Sequence, residues 1–284
     1  KCITNDLYVP ADADFIMEGY VDPEEELIWE GPFGDHTGYY SLADWYPKFH
    51  VTCITHKKNA VYPSTIVGIP PQEDAWIGKA TERIFLAPIK MTLLPEIVDM
   101  ELPIEGVFHN LTIVKIKKEY AGHAQKVMNA MWGAGQMMFN KILVITDGDL
   151  NIHNYTEVAK AISKNCDPQQ DIYFSQGPMD VLDHSCSKFA FGGKMCIDAT
   201  TKFEEEIRCT KPADGAVFLD EEKVKNQFGE ISSMNSSLLK LGISIVFIAV
   251  KKSRINHIKE LHQNLFSLPD FAAVKIAIYV EHTI

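Results

Sequence analysis

The 284-residue chain has no run of eighteen or more apolar residues, and its first residues, Lys1-Cys2-Ile3-Thr4-Asn5, form no apolar leader. The sequence therefore predicts neither a membrane-spanning helix nor a secretory signal. It also lacks any Cys-x-x-Cys. Cys2, Cys53, Cys166, Cys186, Cys196 and Cys209 are scattered, which argues against a zinc cage or a disulfide framework and for reduced thiols in a cytoplasmic protein. No basic stripe is present, and a net charge of -11 argues against a nucleic-acid groove, which needs clustered Lys and Arg to neutralise phosphates. A hydrophobic content of 46% is enough for a substantial core in one or two domains.

What is present is the run Glu30-Gly31-Pro32-Phe33-Gly34-Asp35-His36-Thr37-Gly38-Tyr39-Tyr40. Three glycines and a proline force it into tight turns, so Glu30 and Asp35 sit on a shaped loop. Two carboxyls held this way can split roles, one ionised and one carrying a proton, when burial and mutual charge push their pKa values apart. Phe33, Tyr39 and Tyr40 are the candidates for an apolar setting around Asp35. The same residues also fit an acidic hairpin turn facing solvent. A two-carboxylate hydrolase fits the pair as well, but the sequence offers no aromatic sugar-binding platform.

The chain changes character near Pro95. Before it, short β-type runs at 15–17, 49–55 and 60–62 are broken by turn residues and read as part of a small barrel or sandwich. Glu18 and Glu24 to Glu26 read as a solvated acidic turn beside Asp22-Pro23. After Pro95, a strand at 111–116, an amphipathic helix over 124–138 and a strand at 142–146 form a βαβ unit, with Val127, Met131, Ala134 and Met138 as its core stripe. Lys117-Lys118, His123 and Lys141 recur as Lys251-Lys252, His257 and Lys275, each 134 residues later, so the βαβ unit is duplicated. The second copy stops soon after Glu281-His282-Thr283. Both histidines read as structural residues at helix starts, not as metal ligands.

At this point the sequence resembles the UbiD-type decarboxylases, prenylated-flavin-dependent enzymes that remove CO2 from aromatic and α,β-unsaturated acids. The resemblance rests on residues 30–40, on Lys1 to Pro10, Ile66 to Asp74 and Pro95 to Asp99, and on Lys117 to Ala124, and is nearest to the branch acting in quinone biosynthesis. It implies an α/β fold in which 1–95 is the end of a split β-barrel domain and 96–205 an α/β domain. A polar connector over 206–241 and a truncated second βαβ repeat over 242–284 follow. It further implies that Glu30 works beside an arginine, that Asp35 supplies the proton replacing CO2, and that Lys194 in Phe191-Gly192-Gly193-Lys194-Met195 reaches the flavin phosphate. Trp76 and Ile77, in the loop 63–78, are candidate walls for the aromatic ring.

The implied cofactors are prenylated FMN and a manganese ion. The family's metal ligands, flavin cradle and catalytic arginine lie upstream of the segment that opens at Lys1, so the chain reads as the C-terminal part of a longer enzyme, inactive and unable to hold flavin or metal alone. The implied substrate is a polyprenyl-hydroxybenzoate or hydroxynaphthoate. The implied assembly is a homo-oligomer, often a hexamer in the family, meeting membranes only through a lipophilic substrate. The alternative is a non-catalytic oligomerisation module.

Overall fold

The computed structural model describes residues 1–207 and 219–281, and the chain divides into two compact units at Lys79, inside helix α1 (Glu73–Thr92). Cys209, His282 and Thr283 lie outside the described residues.

In the first unit, β1 (Phe15–Tyr20) pairs antiparallel with β4 (His50–His56), and β2 (Ile28–Glu30) with β3 (Asp44–Tyr46). The register of β1 slips at Glu18/Gly19, where a Cβ on Gly19 would stand 2.3 Å from the His50 carbonyl oxygen. Only glycine permits that approach. The barrel expected here is represented by two separate two-stranded ribbons, with no closed barrel among the described residues. The apolar run 60–62 forms no strand either. Tyr62 instead packs its ring edge-on against Phe15, centroids 5.5 Å apart.

The second unit is built on a five-stranded sheet of order β5-β6-β7-β9-β8. Its strands are β5 (Ile97–Glu101), β6 (Leu111–Ile116), β7 (Ile142–Thr146), β8 (Ile172–Pro178) and β9 (Phe191–Asp198). The central three are parallel and the two edges antiparallel. Successive residues of the central strands serve opposite faces. Val114, Leu143, Ile145 and Cys196 pack with helix α2 (His123–Trp132), whereas Ile113, Val144 and Ile197 pack with helix α3 (Tyr155–Asn165). Burial on both faces explains the unbroken apolar run of β7. Helix α2 is shorter than its sequence pattern. Gly133 caps it and Gly135 takes φ +48°, so Val127 and Met131 are core residues while Ala134 and Met138 fall beyond the helix.

The duplication extends further than the sequence showed. Strands β10 (Ile231–Asn235), β11 (Ile245–Val250) and β12 (Ile276–Val280) and helix α5 (His257–Phe266) each begin and end 134 residues after β5, β6, β7 and α2. The bulge between Ile97 and Asp99 recurs between Ile231 and Ser233. The segment 219–241 is therefore no plain connector. It contains helix α4 (Glu221–Gln227) and β10, and Leu219, Val224, Ile231, Met234 and Leu239 are buried in the core of the second copy.

Both helix-start histidines bond back to the turn that precedes their helix and face a carboxylate. His123 Nδ1 accepts the Glu119 N–H (3.2 Å) and Nε2 faces Glu96 at 3.1 Å; His257 repeats this with Ser253 (3.3 Å) and Glu230 (4.0 Å).

Candidate active site

Glu30 ends β2 opposite Asp44 of β3, and the chain then closes a hairpin. Ser41 N–H donates to the Phe33 carbonyl (2.7 Å), Gly34 bridges to Tyr40, and Asp35 N–H donates to the Tyr39 carbonyl (3.1 Å), which places Asp35 at the tip. Gly31 takes φ +98° and Gly38 φ +82°, and a Cβ on Gly38 would lie 2.9 Å from Ile69. The tip thus owes its shape to two left-handed glycines and to the 66–70 loop packed on one of them.

The two carboxylates differ in setting. Glu30 is exposed, whereas the Asp35 side chain is 21% exposed and its Oδ1 accepts from the His36 N–H (2.7 Å) and meets His36 Nδ1 at 2.9 Å. Phe33, Tyr39 and Tyr40 do not enclose Asp35 as expected; all three are exposed. Trp76 and Ile77 are not on a loop, because α1 begins at Glu73 and carries both as exposed helical residues.

Glu18 departs most from its sequence reading. It is only 4% exposed, and its carboxylate accepts from Ile3 N–H (2.8 Å), Thr4 N–H (2.6 Å) and the Thr4 hydroxyl (2.9 Å). The backbone donors of Ile3 and Thr4 hold it below the ordinary carboxylate range. Glu25 is also engaged, with Lys48 (2.8 Å) and His50. The acidic stretch is therefore not a freely solvated turn: two of its members tie strands and the N-terminal segment together.

In the second unit, Lys194 lies on β9, 4% exposed, its Nζ donating to the Met138 carbonyl and to that of Asn140 (2.7 Å). Burial pushes its ammonium down to about 8. Among the described residues no carboxylate forms an ion pair with it. It lines a cleft of about 570 Å³ with Lys141, Phe174, Gln176 and Gly193, and a Cβ on Gly193 would meet nothing within 4 Å. Gly192 has a packing role instead, since a Cβ there would lie 2.8 Å from Cys186 Sγ. The neighbouring pair Lys141–Asp183 (2.8 Å) has no counterpart in the sequence reading. Burial alone would raise Asp183, but bonds from Lys141 and Ser185 outweigh it and hold the carboxyl at about 2. Among the described residues, no group of three His, Cys, Asp or Glu side chains is placed to hold a metal ion.

Comparison with known proteins decides the lineage of this hairpin and sheet. Residues 1–70 match the 3-octaprenyl-4-hydroxybenzoate carboxy-lyase Rift-related domain, and residues 75–199 match the C-terminal domain of the same family. The chain belongs to the UbiD family. An uncharacterized protein of Aquifex aeolicus is 54% identical over 206 residues, covering 72% of this chain and 42% of its own length. One from Helicobacter pylori is 38% identical over 282 residues, covering 99% of this chain and 44% of its own length. The chain thus spans under half the length of these relatives.

Among solved structures, the UbiD-class enzyme HmfF of Pelotomaculum thermopropionicum in complex with FMN is 29% identical, with a TM-score of 0.60 over 75% of this chain and 47% of that one. A dimeric evolved form of HmfF, in complex with prFMN, is 28% identical with a TM-score of 0.55, over 75% and 45%. The closed form of the vanillic acid decarboxylase of Sedimentibacter hydroxybenzoicus is 27% identical with a TM-score of 0.64, over 80% and 48%. The UbiD family domains end at residue 199, so the second copy of the βαβ unit lies outside them. No described helix is long and apolar enough to cross a membrane.

Proposed function

We propose that this chain supplies the carboxylate hairpin and C-terminal α/β domain of a prenylated-flavin-dependent decarboxylase acting on an aromatic acid. The observation that carries the reading is the hairpin itself. It holds Asp35 partly shielded at its tip and Glu30 exposed at its base, two carboxylates in unlike settings on one rigid element. Loss of CO2 from an aromatic acid leaves charge on a carbon that no side chain can delocalise, and the flavin, when bound, supplies the electron sink. Asp35 then returns the proton at the carbon that lost CO2, and its bond to the His36 N–H fixes the direction of Oδ1. Glu30 orients an arginine contributed by the upstream domain.

Lys194 suits a flavin phosphate. Its ammonium is buried, among the described residues no carboxylate pairs with it, two of its three donors are spent on carbonyls, and it borders a cleft with open backbone at Gly193. Manganese, on this reading, is held by residues upstream. Within the family the quinone-biosynthesis branch fits best, with a polyprenyl-hydroxybenzoate or hydroxynaphthoate as substrate, Trp76 and Ile77 as candidate contacts to the ring, a homo-oligomeric assembly and a cytoplasmic location.

The test is Asp35→Asn in the full-length enzyme reconstituted with prenylated flavin and manganese. CO2 release should fall by roughly 10²- to 10⁴-fold, the usual contribution of a positioned general acid, with flavin absorbance retained. Wild-type turnover in that variant would remove Asp35 from the reaction.

A further inference from the structure

The tip of the carboxylate hairpin is fixed on both sides of Asp35. Its N–H donates to the Tyr39 carbonyl (3.1 Å), its carbonyl accepts from the Gly38 N–H (3.0 Å), and Ile69 closes on Gly38 so tightly that a Cβ there would lie 2.9 Å away. With the main chain held, only the side-chain torsions are left to settle where a proton on Asp35 points. His36 settles them. Its main-chain N–H reaches Oδ1 at 2.7 Å, and its ring Nδ1 reaches the same oxygen at 2.9 Å from a side chain only 18% exposed.

Two contacts on one oxygen make the two ends of the carboxyl unlike. The main-chain N–H is a donor in every protonation state, so Oδ1 must act as its acceptor. Were Nδ1 the lone-pair nitrogen, its own contact would need a proton on Oδ1, in competition with that N–H. A proton on Nδ1 satisfies both. The segment packed on the tip, Ile66-Val67-Gly68-Ile69-Pro70, brings no titratable side chain. On the hairpin the titratable neighbours are Tyr39 and Tyr40, both exposed, with Glu30 and Asp44 opposite each other at the base.

We propose, on the reading of Asp35 as the proton donor, that His36 is the positioning residue for that proton: its Nδ1–H and its main-chain N–H together reserve Oδ1, so the transferable proton is carried by Oδ2. The Oδ2–H bond breaks as a C–H bond forms at the carbon that lost CO2, and the electron pair left on Asp35 is met by two donors already aimed at Oδ1. A proton from solvent then restores the acid. His36 touches neither substrate nor reacting carbon in this scheme; it acts through Asp35.

The experiment compares His36→Phe, His36→Asn and His36→Gln with the wild type in the full-length enzyme. Asn carries its amide nitrogen on Cγ, where His carries Nδ1, whereas Gln places it one bond further out, nearer the position of Nε2. His36→Phe should lower kcat roughly tenfold, the scale of one lost hydrogen bond, with KM unchanged and flavin absorbance retained. The alkaline limb of its kcat profile should move to higher pH, because the carboxylate loses one of its two donors. His36→Asn should restore most of kcat and return the limb; His36→Gln should do neither. In the flavin-free full-length enzyme, the nitrogen-15 spectrum should show a proton on His36 Nδ1. A lone pair on Nδ1, rescue by Gln but not by Asn, or a His36→Phe profile superimposable on the wild type overturns the proposal. Asp35→Asn separates it from the reading beneath it. Wild-type turnover there removes Asp35 itself, whereas lost turnover there beside a silent His36→Phe removes only the role of His36.

Discussion

The first unit carries the candidate chemistry and almost no core; the second carries the core. Among the buried apolar residues, Ala75 alone belongs to the first unit, while the second unit fills both faces of its sheet and a further cluster in the duplicated repeat. Around the carboxylate hairpin the first unit exposes Trp29, Phe33, Tyr39, Tyr40, Leu42, Trp45 and Tyr46. In soluble proteins, apolar residues grouped on one surface commonly mark a site of interaction. The difference teaches that the geometry of the candidate site rests on glycine turns and hydrogen bonds, and burial of apolar residues on sheet packing.

Substitution in each unit breaks or sharpens the contrast. The largest effect belongs to Leu143→Ala, which removes a fully buried side chain from the central strand and should cost about 2–5 kcal/mol in a urea titration. Leu42→Ala in the first unit should stay within about 0.5 kcal/mol. Equal losses would show that the first unit has a core of its own.

A smaller effect tests the buried lysine. With its folded value at about 8 against 10.5, Lys194 binds fewer protons folded than unfolded in that window, so stability should rise as pH climbs from about 8 to about 10.5. Lys194→Met should flatten that rise, and inorganic phosphate should reduce it in the wild type by favouring the charged form. A pH dependence identical in wild type and variant would mean that the ammonium is not desolvated.

The smallest concerns Glu18. Its folded value is depressed, so its contribution is present above the unfolded value of 4.5 and fades as pH falls through the folded one. Glu18→Gln should lower the melting temperature at neutral pH and converge with wild type in acid. A gap that persists at low pH would assign the loss to packing instead of charge.

The legible part of the fold was the part with strong periodicity. The runs at 111–116 and 142–146 announced buried parallel strands, and Lys117, His123 and Lys141 announced their own repetition. Strand β10 was hidden because its outward positions are Ser232, Ser233 and Asn235, which read as linker; only the fixed offset aligns Ile231 and Met234 with Ile97 and Met100. At the site, the Glu30 to Tyr40 turns were visible because glycine and proline leave a backbone signature. Glu18 was misread for the opposite reason. Its donors, the amides of Ile3 and Thr4, are fifteen and fourteen residues away and have no side-chain signature. Lys141 and Asp183 are separated by 42 residues and met only through the fold.

The bulge that interrupts β5 at Ile97 and returns in β10 at Ile231 has a meaning beyond its local twist. Straight strands arise readily from many sequences, whereas a one-residue misalignment at a matching place in two sheets is a shared irregularity, and irregularities are the better record of descent. Asp99, which pairs with Arg83 and His153, has become Ser233, so the second copy has exchanged its surface chemistry while its main chain stayed in register. Comparison by residue type fades along such a lineage sooner than comparison by backbone.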